Sequence, residues 1–384
     1  MNWEEIVNKT KAYYCLECGI CTSSCPVAGI IPSFSPRLLV EKALFGLGDE
    51  IVQDKELWSC LVCGRCSSRC PSGVDYLEFI KDMRIEAVKQ GREGHFSHDG
   101  ILNTMMEIQS LNLKQDRNFW ITDDLEVVEK GEYFYFVGCL PYFEVVFGKN
   151  GYCDVGINPI EIARNTVKIL NSIGIKPVVS NDERCCGHDL LWNGDLDGFK
   201  RLAELNLKTI KGSGAKKVIC VCPEGYVTLK KDYPLYFGEQ GLEVVQLYQL
   251  LADELHEGRL NFTESSSDDN LNKVTFHDPC SLGRIAKIYE EPRDILSGMP
   301  GVELVEMGRN RADAVCCGTS GWVNCSGCSK QIQIERLKEA EDTGADTLIT
   351  ACPKCSIHLN CAKYNSEIGI EIKDITDLIV EKMV

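Results

Sequence analysis

The chain has no long hydrophobic run. Nothing in its 384 residues approaches the roughly 18–20 apolar residues that cross a bilayer, so no direct membrane span is expected and any membrane contact must go through a partner. It has no export signal either. Met1-Asn2-Trp3-Glu4-Glu5 is acidic where such a signal is basic and then apolar, so the chain is expected to begin near Met1 and to stay in the cytoplasm. Positive charge is in short supply, 41 Lys and Arg against 57 Asp and Glu for a net charge of −16, and no basic stripe offsets it, which makes nucleic acid a poor partner. No Gly-x-Gly-x-x-Gly follows a predicted strand, so neither flavin nor nucleotide is expected on this chain. Cysteine is in excess at 22 residues, yet the length and 44% hydrophobic content exclude a small secreted module stapled by disulfides. Thiols in such number imply metal.

Eight of them fall in two runs of Cys-x₂-Cys-x₂-Cys-x₃-Cys-Pro: Cys15, Cys18, Cys21, Cys25, Pro26 and Cys60, Cys63, Cys66, Cys70, Pro71. This is the bacterial ferredoxin spacing, in which three close thiolates hold one [4Fe–4S] cubane and the fourth crosses to the other. The expected ligand sets are therefore Cys15, Cys18, Cys21 with Cys70, and Cys60, Cys63, Cys66 with Cys25. Neither zinc nor a disulfide framework needs a fourth cysteine followed by proline in both copies. Oxygen-labile clusters of this kind point to an anaerobe. Between the runs, residues 36–46 read as a short amphipathic helix, and 76–90 place Leu77, Ile80, Met83 and Ala87 at helical spacing. Residues 1–92 are thus expected to be an α-helical ferredoxin module, and 93–132 a connecting arm with a helix near 101–111.

From Tyr133 the pattern changes to short apolar strands alternating with amphipathic helices, which is α/β layering. The first lobe, 133–262, has strand-like segments at 133–138, 177–179 and 217–221 and helices at 160–173 and 198–211. A polar stretch at 264–270 separates it from a second lobe, 271–384, with strands at 274–277, 302–305 and 347–351 and helices at 292–297 and 331–343. The halves repeat. Cys139 corresponds to Cys280, Cys185-Cys186-Gly187 to Cys316-Cys317-Gly318, and Cys222-Pro223 to Cys352-Pro353, roughly 130–140 residues apart. The expected fold is therefore α+β and multidomain: a helical module binding two cubanes, then two pseudo-repeated α/β, Rossmann-like lobes.

In the second lobe five thiols are expected to converge: Cys280, Cys316, Cys317, Cys352 and Cys355. Cys280 and Cys352 follow predicted strand ends, where sites assemble in α/β sheets. Adjacent cysteines strain a tetrahedral zinc site but can bridge and terminate irons in a more open cluster, and Gly318 leaves room for backbone approach. Buried structural thiols are the alternative.

The ferredoxin pair followed by two Cys…Cys-Cys-Gly…Cys-Pro lobes resembles the D subunit of the heterodisulfide reductases and its wider family of fused iron–sulfur electron-transfer proteins. The matching residues are His277-Asp278-Pro279-Cys280-Ser281-Leu282-Gly283-Arg284, Cys316-Cys317-Gly318 and Ala351-Cys352-Pro353-Lys354-Cys355. The resemblance implies a noncubane [4Fe–4S] cluster on Cys280, Cys316, Cys317, Cys352 and Cys355, where a substrate disulfide is cleaved. It also implies that electrons enter through the cubanes from a donor on another chain: a membrane cytochrome b, a flavoprotein or a hydrogenase. A second reading stays open, an electron-relay component of a flavin-dependent dehydrogenase for glycolate, lactate or glycerol-3-phosphate, with no substrate contact on this chain.

The first lobe departs from the pattern. Cys222-Pro223-Glu224-Gly225 lacks the last cysteine, and Cys220 is its one nearby substitute, so whether Cys139, Cys185, Cys186 and Cys222 hold a cluster stays open. His277 and His188 are candidate proton donors to a departing thiolate, with a packed ring as the alternative for each. Lys354 and Arg284 either steer an anionic thiol or offset cluster charge. Cys325 and Cys328 form an extra Cys-x₂-Cys, read as a redox pair, a further ligand set or packing thiols.

Overall fold

Seven short strands form two all-parallel sheets in the computed structural model, which describes residues 3–263, 272–323, 325–364 and 366–384. The separating stretch 264–270 lies outside the described residues. In the first sheet β1 (Tyr133–Phe136), β2 (Lys217–Cys220) and β3 (Glu243–Gln246) run in the order β1-β2-β3. In the second, β4 (Asn272–His277), β5 (Val302–Leu304), β6 (Thr347–Thr350) and β7 (Glu371–Asp374) run in the order β5-β4-β6-β7. Residues 177–179, read as a strand, make only isolated parallel bridges through Val178, one of them to Phe134 on the edge of β1 where the second sheet has β5. The two sheets thus repeat one topology.

Helices cover these sheets, which is why the central strands are short and buried along nearly their whole length. Helix Pro159–Ser172 starts on proline, pre-set for a first turn, and buries Ile162, Ala163, Val167, Ile169 and Leu170. Asp195 accepts from Gly198 N to cap Leu196–Gly212, and a capping box of Asp374 and Asp377 starts Ile375–Lys382. The halves meet reciprocally. Pro159–Ser172, the first crossover helix of one half, packs on Ile375–Lys382, the last of the other, and Leu247–His256 packs on Glu291–Ser297 in the converse sense. Such exchange of equivalent faces is what a two-fold relation produces.

The N-terminal residues are helical, with Pro36–Leu44 and Tyr76–Lys89 close to expectation, and they share one apolar core with both sheets, from Ile6 to Ile379. Beyond them, helix Ile101–Ser110 and the buried Trp120 pack into the first half. This segment does more than connect: Gln109 accepts from the Cys185 backbone N–H at 2.7 Å, and Arg117 pairs with the buried Glu183 at 2.8 Å.

Candidate functional site

The two N-terminal runs share a loop conformation. Glu17 and Val62, each just before the second cysteine, have φ of 50° and 43°, and Gly19 and Gly64, just after it, have 76° and 72°. A β-branched residue at positive φ is strained and persists only where its surroundings demand it. The curl turns successive sulfurs to one side, and Val62 N donates to Cys60 Sγ at 3.4 Å. Cys25, Cys60, Cys63 and Cys66 line one cavity. Burial pushes the Cys25 thiol up to about 12, Cys63 and Cys60 adding to the rise, and burial pushes Cys60 up to about 11. Cys21 is raised by burial with Cys15 and Cys18 as neighbours, and Cys18 is exposed. Cys70, half-buried, closes helix Arg65–Arg69, which packs on Ile20–Ser23, the helix carrying Cys21.

At the second sheet the cysteines sit at the carboxyl ends of β4 and β6, whose last residues His277 and Thr350 are paired in register. Asp278 anchors the turn after β4: it takes Arg293 in a fork at 2.8 and 2.9 Å and accepts from Arg311 N at 2.8 Å, which draws the segment before Cys316 toward Cys280. Gly318, at φ 81°, turns the chain where a Cβ would stand 2.8 Å from the Ser329 carbonyl oxygen. The result is a continuous set of sulfurs. Cys280 Sγ lies 4.0 Å from Cys316 Sγ, Cys316 hydrogen-bonds Cys317, Cys317 bonds Cys355, and Cys355 bonds Cys352. Hydrogen bonds from Cys316 and Cys355 hold the Cys317 thiol down at about 6 against its burial. Thiol neighbours and burial push Cys280 and Cys355 well above the usual cysteine range.

The first half builds a similar turn with different anchors. Glu183 accepts from Val137 N and Gly138 N, which brings Cys139 Sγ within 3.3 Å of Cys185 Sγ, and Cys186 bonds Cys185. These three line a second cavity with Cys220 and Cys222. Cys220, the last residue of β2, is buried and raised by desolvation, with Glu183 as its charged neighbour. Cys222 hydrogen-bonds across to Cys352, its own counterpart in the other half.

The next pair of counterparts also meets. Lys354 Nζ lies 2.7 Å from Glu224 Oε2 and 2.6 Å from Asp189 Oδ1, and His188 Nδ1 lies 3.1 Å from Asp189 and 3.5 Å from Glu224. Burial opposes the charge on Lys354, but Asp189 and Glu224 raise it well above its ordinary range. Burial would raise Asp189, and the Lys354 ammonium overrides it and holds that carboxyl far down. His188, Glu224 and Lys354 line both this first-half cavity and the one that Cys280, Cys317, Cys352 and Cys355 line at the second sheet, and so form the partition between them. His188, Asp189 and Glu224 could by type hold a metal ion, yet the ammonium already occupies the space between the two carboxylates.

Three placements were not accessible from the sequence. His277 is fully buried, accepts from Arg336 Nε at 3.2 Å on Nδ1, and is not among the residues lining either cavity; burial and the flanking guanidiniums push it well below its usual value. Arg284 donates Nε to the Cys63 carbonyl at 2.7 Å and Nη1 to Ala314 O at 2.6 Å, while its buried Nη2 has no partner. Cys63 itself shares a buried cluster with Cys316, Cys317, Cys352 and Cys355, so the second ferredoxin run adjoins the five-thiol set. The opposite charges at one position of a repeated Cys-Pro-x-x motif, Glu224 and Lys354, were the one sequence signal for the partition.

Comparison with known proteins assigns the segments that carry these cysteines to known domain families. Residues 133–230 and 274–360 match the family model of the cysteine-rich domain, and residues 11–74 that of the 4Fe-4S dicluster domain. The D subunit of the dihydromethanophenazine:CoB–CoM heterodisulfide reductase of Methanosarcina acetivorans is 32% identical over 322 residues, 81% of this chain and 74% of that protein. The chain belongs to the family of heterodisulfide reductase D subunits. The B subunit of the fumarate reductase (CoM/CoB) of Methanothermobacter marburgensis is 28% identical over 394 residues, 98% of this chain and 73% of that protein. A probable iron-sulfur-binding oxidoreductase of Bacillus subtilis is 30% identical over 229 residues, 58% of this chain and 32% of that protein. As expected for a family of iron–sulfur oxidoreductases, the donor sets fit iron: buried thiols in mutual contact, several held far above their ordinary range, ionise together only when cations neutralise them. No helix among the described residues is long and apolar enough to cross a membrane.

Proposed function

We propose that this chain is the iron–sulfur component of a heterodisulfide-reductase-like complex, with two [4Fe–4S] cubanes on the N-terminal runs and a noncubane [4Fe–4S] cluster on Cys280, Cys316, Cys317, Cys352 and Cys355, where a disulfide or related sulfur substrate is reduced. The observation that carries this reading is the burial of Cys63 together with four of those five thiols. When bound, such clusters supply one-electron steps and an iron able to take a substrate sulfur. The chain's own residues do the rest. Leu61, Val62, Pro279 and Ile285 give the cavity beside Cys280 and Cys317 an apolar wall that limits water. Arg284, tied to Cys63 and Ala314, keeps the two thiol sets in register, and its charge offsets that of its neighbours Cys63, Cys280 and Cys316. Lys354, held by two carboxylates, closes the partition instead of offering its charge. His277, neutral and locked by Arg336, positions β4. Electrons come from another chain, a membrane cytochrome b, a flavoprotein or a hydrogenase. The relay reading, as a component of a flavin-dependent dehydrogenase, is favoured by Gly225, which leaves the first-half set one thiol short.

Anaerobically reconstituted protein is expected to hold about 12 irons per chain and, with reduced methyl viologen as donor, to turn over a small organic disulfide. About 8 irons would remove the five-thiol cluster, and reduced cubanes without disulfide turnover would favour the relay. A Cβ at Gly225 meets nothing nearer than Cys222 Cβ at 3.8 Å, so Gly225→Cys fits. That variant should rise to about 16 irons, whereas a wild-type value already near 16 would mean that Cys220 or another group completes the first-half set.

The crossed ligation has its own check. Cys70→Ser should lose the paramagnetic signal of the cluster on Cys15, Cys18 and Cys21 and leave that of Cys25, Cys60, Cys63 and Cys66, which line a cavity together without it. Loss of the second signal alone would show uncrossed sets.

A further inference from the structure

Cys153, Cys325, Cys328 and Cys361 belong to none of the thiol sets above, and the fold gathers three of them. Cys361 lies in helix Pro353–Tyr364, and its sulfur accepts from Lys330 Nζ at 3.0 Å. Lys330 stands in the first turn of helix Gly327–Glu341, which packs on Pro353–Tyr364, and Cys325 lies just ahead of that turn. Cys153 comes from the other half, in the loop after helix Leu140–Phe147. It packs with Cys361 on one small apolar cluster of Phe143, Phe147, Trp322 and Ile357. Burial raises the Cys153 thiol, with Cys361 its largest charged influence and Lys330 opposing, and burial likewise raises Cys325, with Lys330 and Cys361 as its charged influences. Burial raises the Cys328 thiol as well, with Glu335 and Glu56 as its charged neighbours. Cys153, Cys325 and Cys361 are each half-buried, within reach of a small molecule.

We propose that Cys361 is a second reactive thiol, outside the cluster sites, which exchanges with organic disulfides and is resolved by Cys153. Lys330 Nζ, 3.0 Å from the Cys361 sulfur, stands where it can orient that sulfur for attack. The Cys361 thiolate attacks one sulfur of R–S–S–R, forming Cys361–S–S–R and releasing one thiolate. Cys153 then gives up its proton and attacks the Cys361 sulfur, forming the Cys153–Cys361 disulfide and releasing the second R–S⁻. The external disulfide takes the two electrons, and the protons of Cys153 and Cys361 end on the two released thiols. A metal is the poorer occupant, because Lys330 places a positive charge on Cys361 where a cation would bind. The product ties the two halves covalently beside Trp322, whose ring lies 5.3 Å from Lys354 Nζ in the partition between the cavities. Oxidation at the surface would therefore clamp the walls of the candidate active site.

The test uses cluster-loaded protein, held anaerobic at neutral pH, treated with 2-hydroxyethyl disulfide, quenched with iodoacetamide and mapped by mass spectrometry. The expected main product is the peptide pair joined through Cys153 and Cys361, with iron content unchanged. Cys153→Ser should instead accumulate the hydroxyethylthio adduct on Cys361, and Lys330→Gln should slow adduct formation about tenfold. The proposal is overturned if Cys361 stays reduced while other free thiols react, if a Cys325–Cys361 link dominates, if Lys330→Gln reacts at the wild-type rate, or if the purified chain carries zinc that Cys361→Ser removes.

Discussion

Cys317→Ala and Cys355→Ala are each expected to abolish disulfide reduction from reduced methyl viologen while the N-terminal runs take up electrons from dithionite as in the wild type. The free thiol of Cys317 hydrogen-bonds with both Cys316 and Cys355, and that of Cys355 with both Cys317 and Cys352, so either deletion breaks the thiol set in its middle. Changes to groups that merely orient metal ligands cost about 10–100-fold, so loss of a ligand should exceed that range. The N-terminal sets have their own sulfurs and adjoin this region through Leu61, Val62 and Cys63. A thiol added under oxidising conditions should change the paramagnetic signal only while the five cysteines are intact. Full activity in either variant would displace the reductase reading in favour of the relay.

What the sequence shows of this molecule follows the range over which each feature is encoded. The ferredoxin spacing is local, because three cysteines two residues apart must present their sulfurs together whatever surrounds them. Helices Pro159–Ser172 and Leu196–Gly212 are legible because each buries one stripe. Strands β3 and β7 are not: Glu-Val-Val-Gln and Glu-Ile-Lys-Asp are four residues long, partly exposed and flanked by charge. Helix Pro353–Tyr364 is hidden for the opposite reason, since it is buried on most sides and shows no stripe. The partition escapes altogether, because Cys222 meets Cys352 and Glu224 meets Lys354 only once the halves have packed face to face. His277 shows the reverse error of emphasis. Three residues from Cys280 in sequence, it sits within β4 against Arg336, where strand geometry outweighs proximity.

Lys354→Met is expected to destabilise the folded chain by about 3–5 kcal/mol, the cost of leaving buried charge without its partner. The side chains of Lys354, Asp189 and Glu224 are 5%, 7% and 14% exposed, so water screens the pair little. Without the ammonium, two carboxylates face each other across the joint between the halves, with His188 as their one remaining cationic partner in the partition. The measurement is the denaturant midpoint of cluster-loaded protein, followed both by tryptophan fluorescence and by cluster absorbance. Glu224→Met alone should cost less, because Lys354 keeps Asp189. Lys354→Met combined with Glu224→Met should recover part of the loss, because it removes one of the two stranded carboxylates and restores apolar packing at the joint. A single Lys354→Met variant as stable as the wild type would mean that the apolar contacts between Pro159–Ser172 and Ile375–Lys382, and between Leu247–His256 and Glu291–Ser297, hold the halves together without the partition. The ion pair would then serve the chemistry of the two cavities it divides and not the fold.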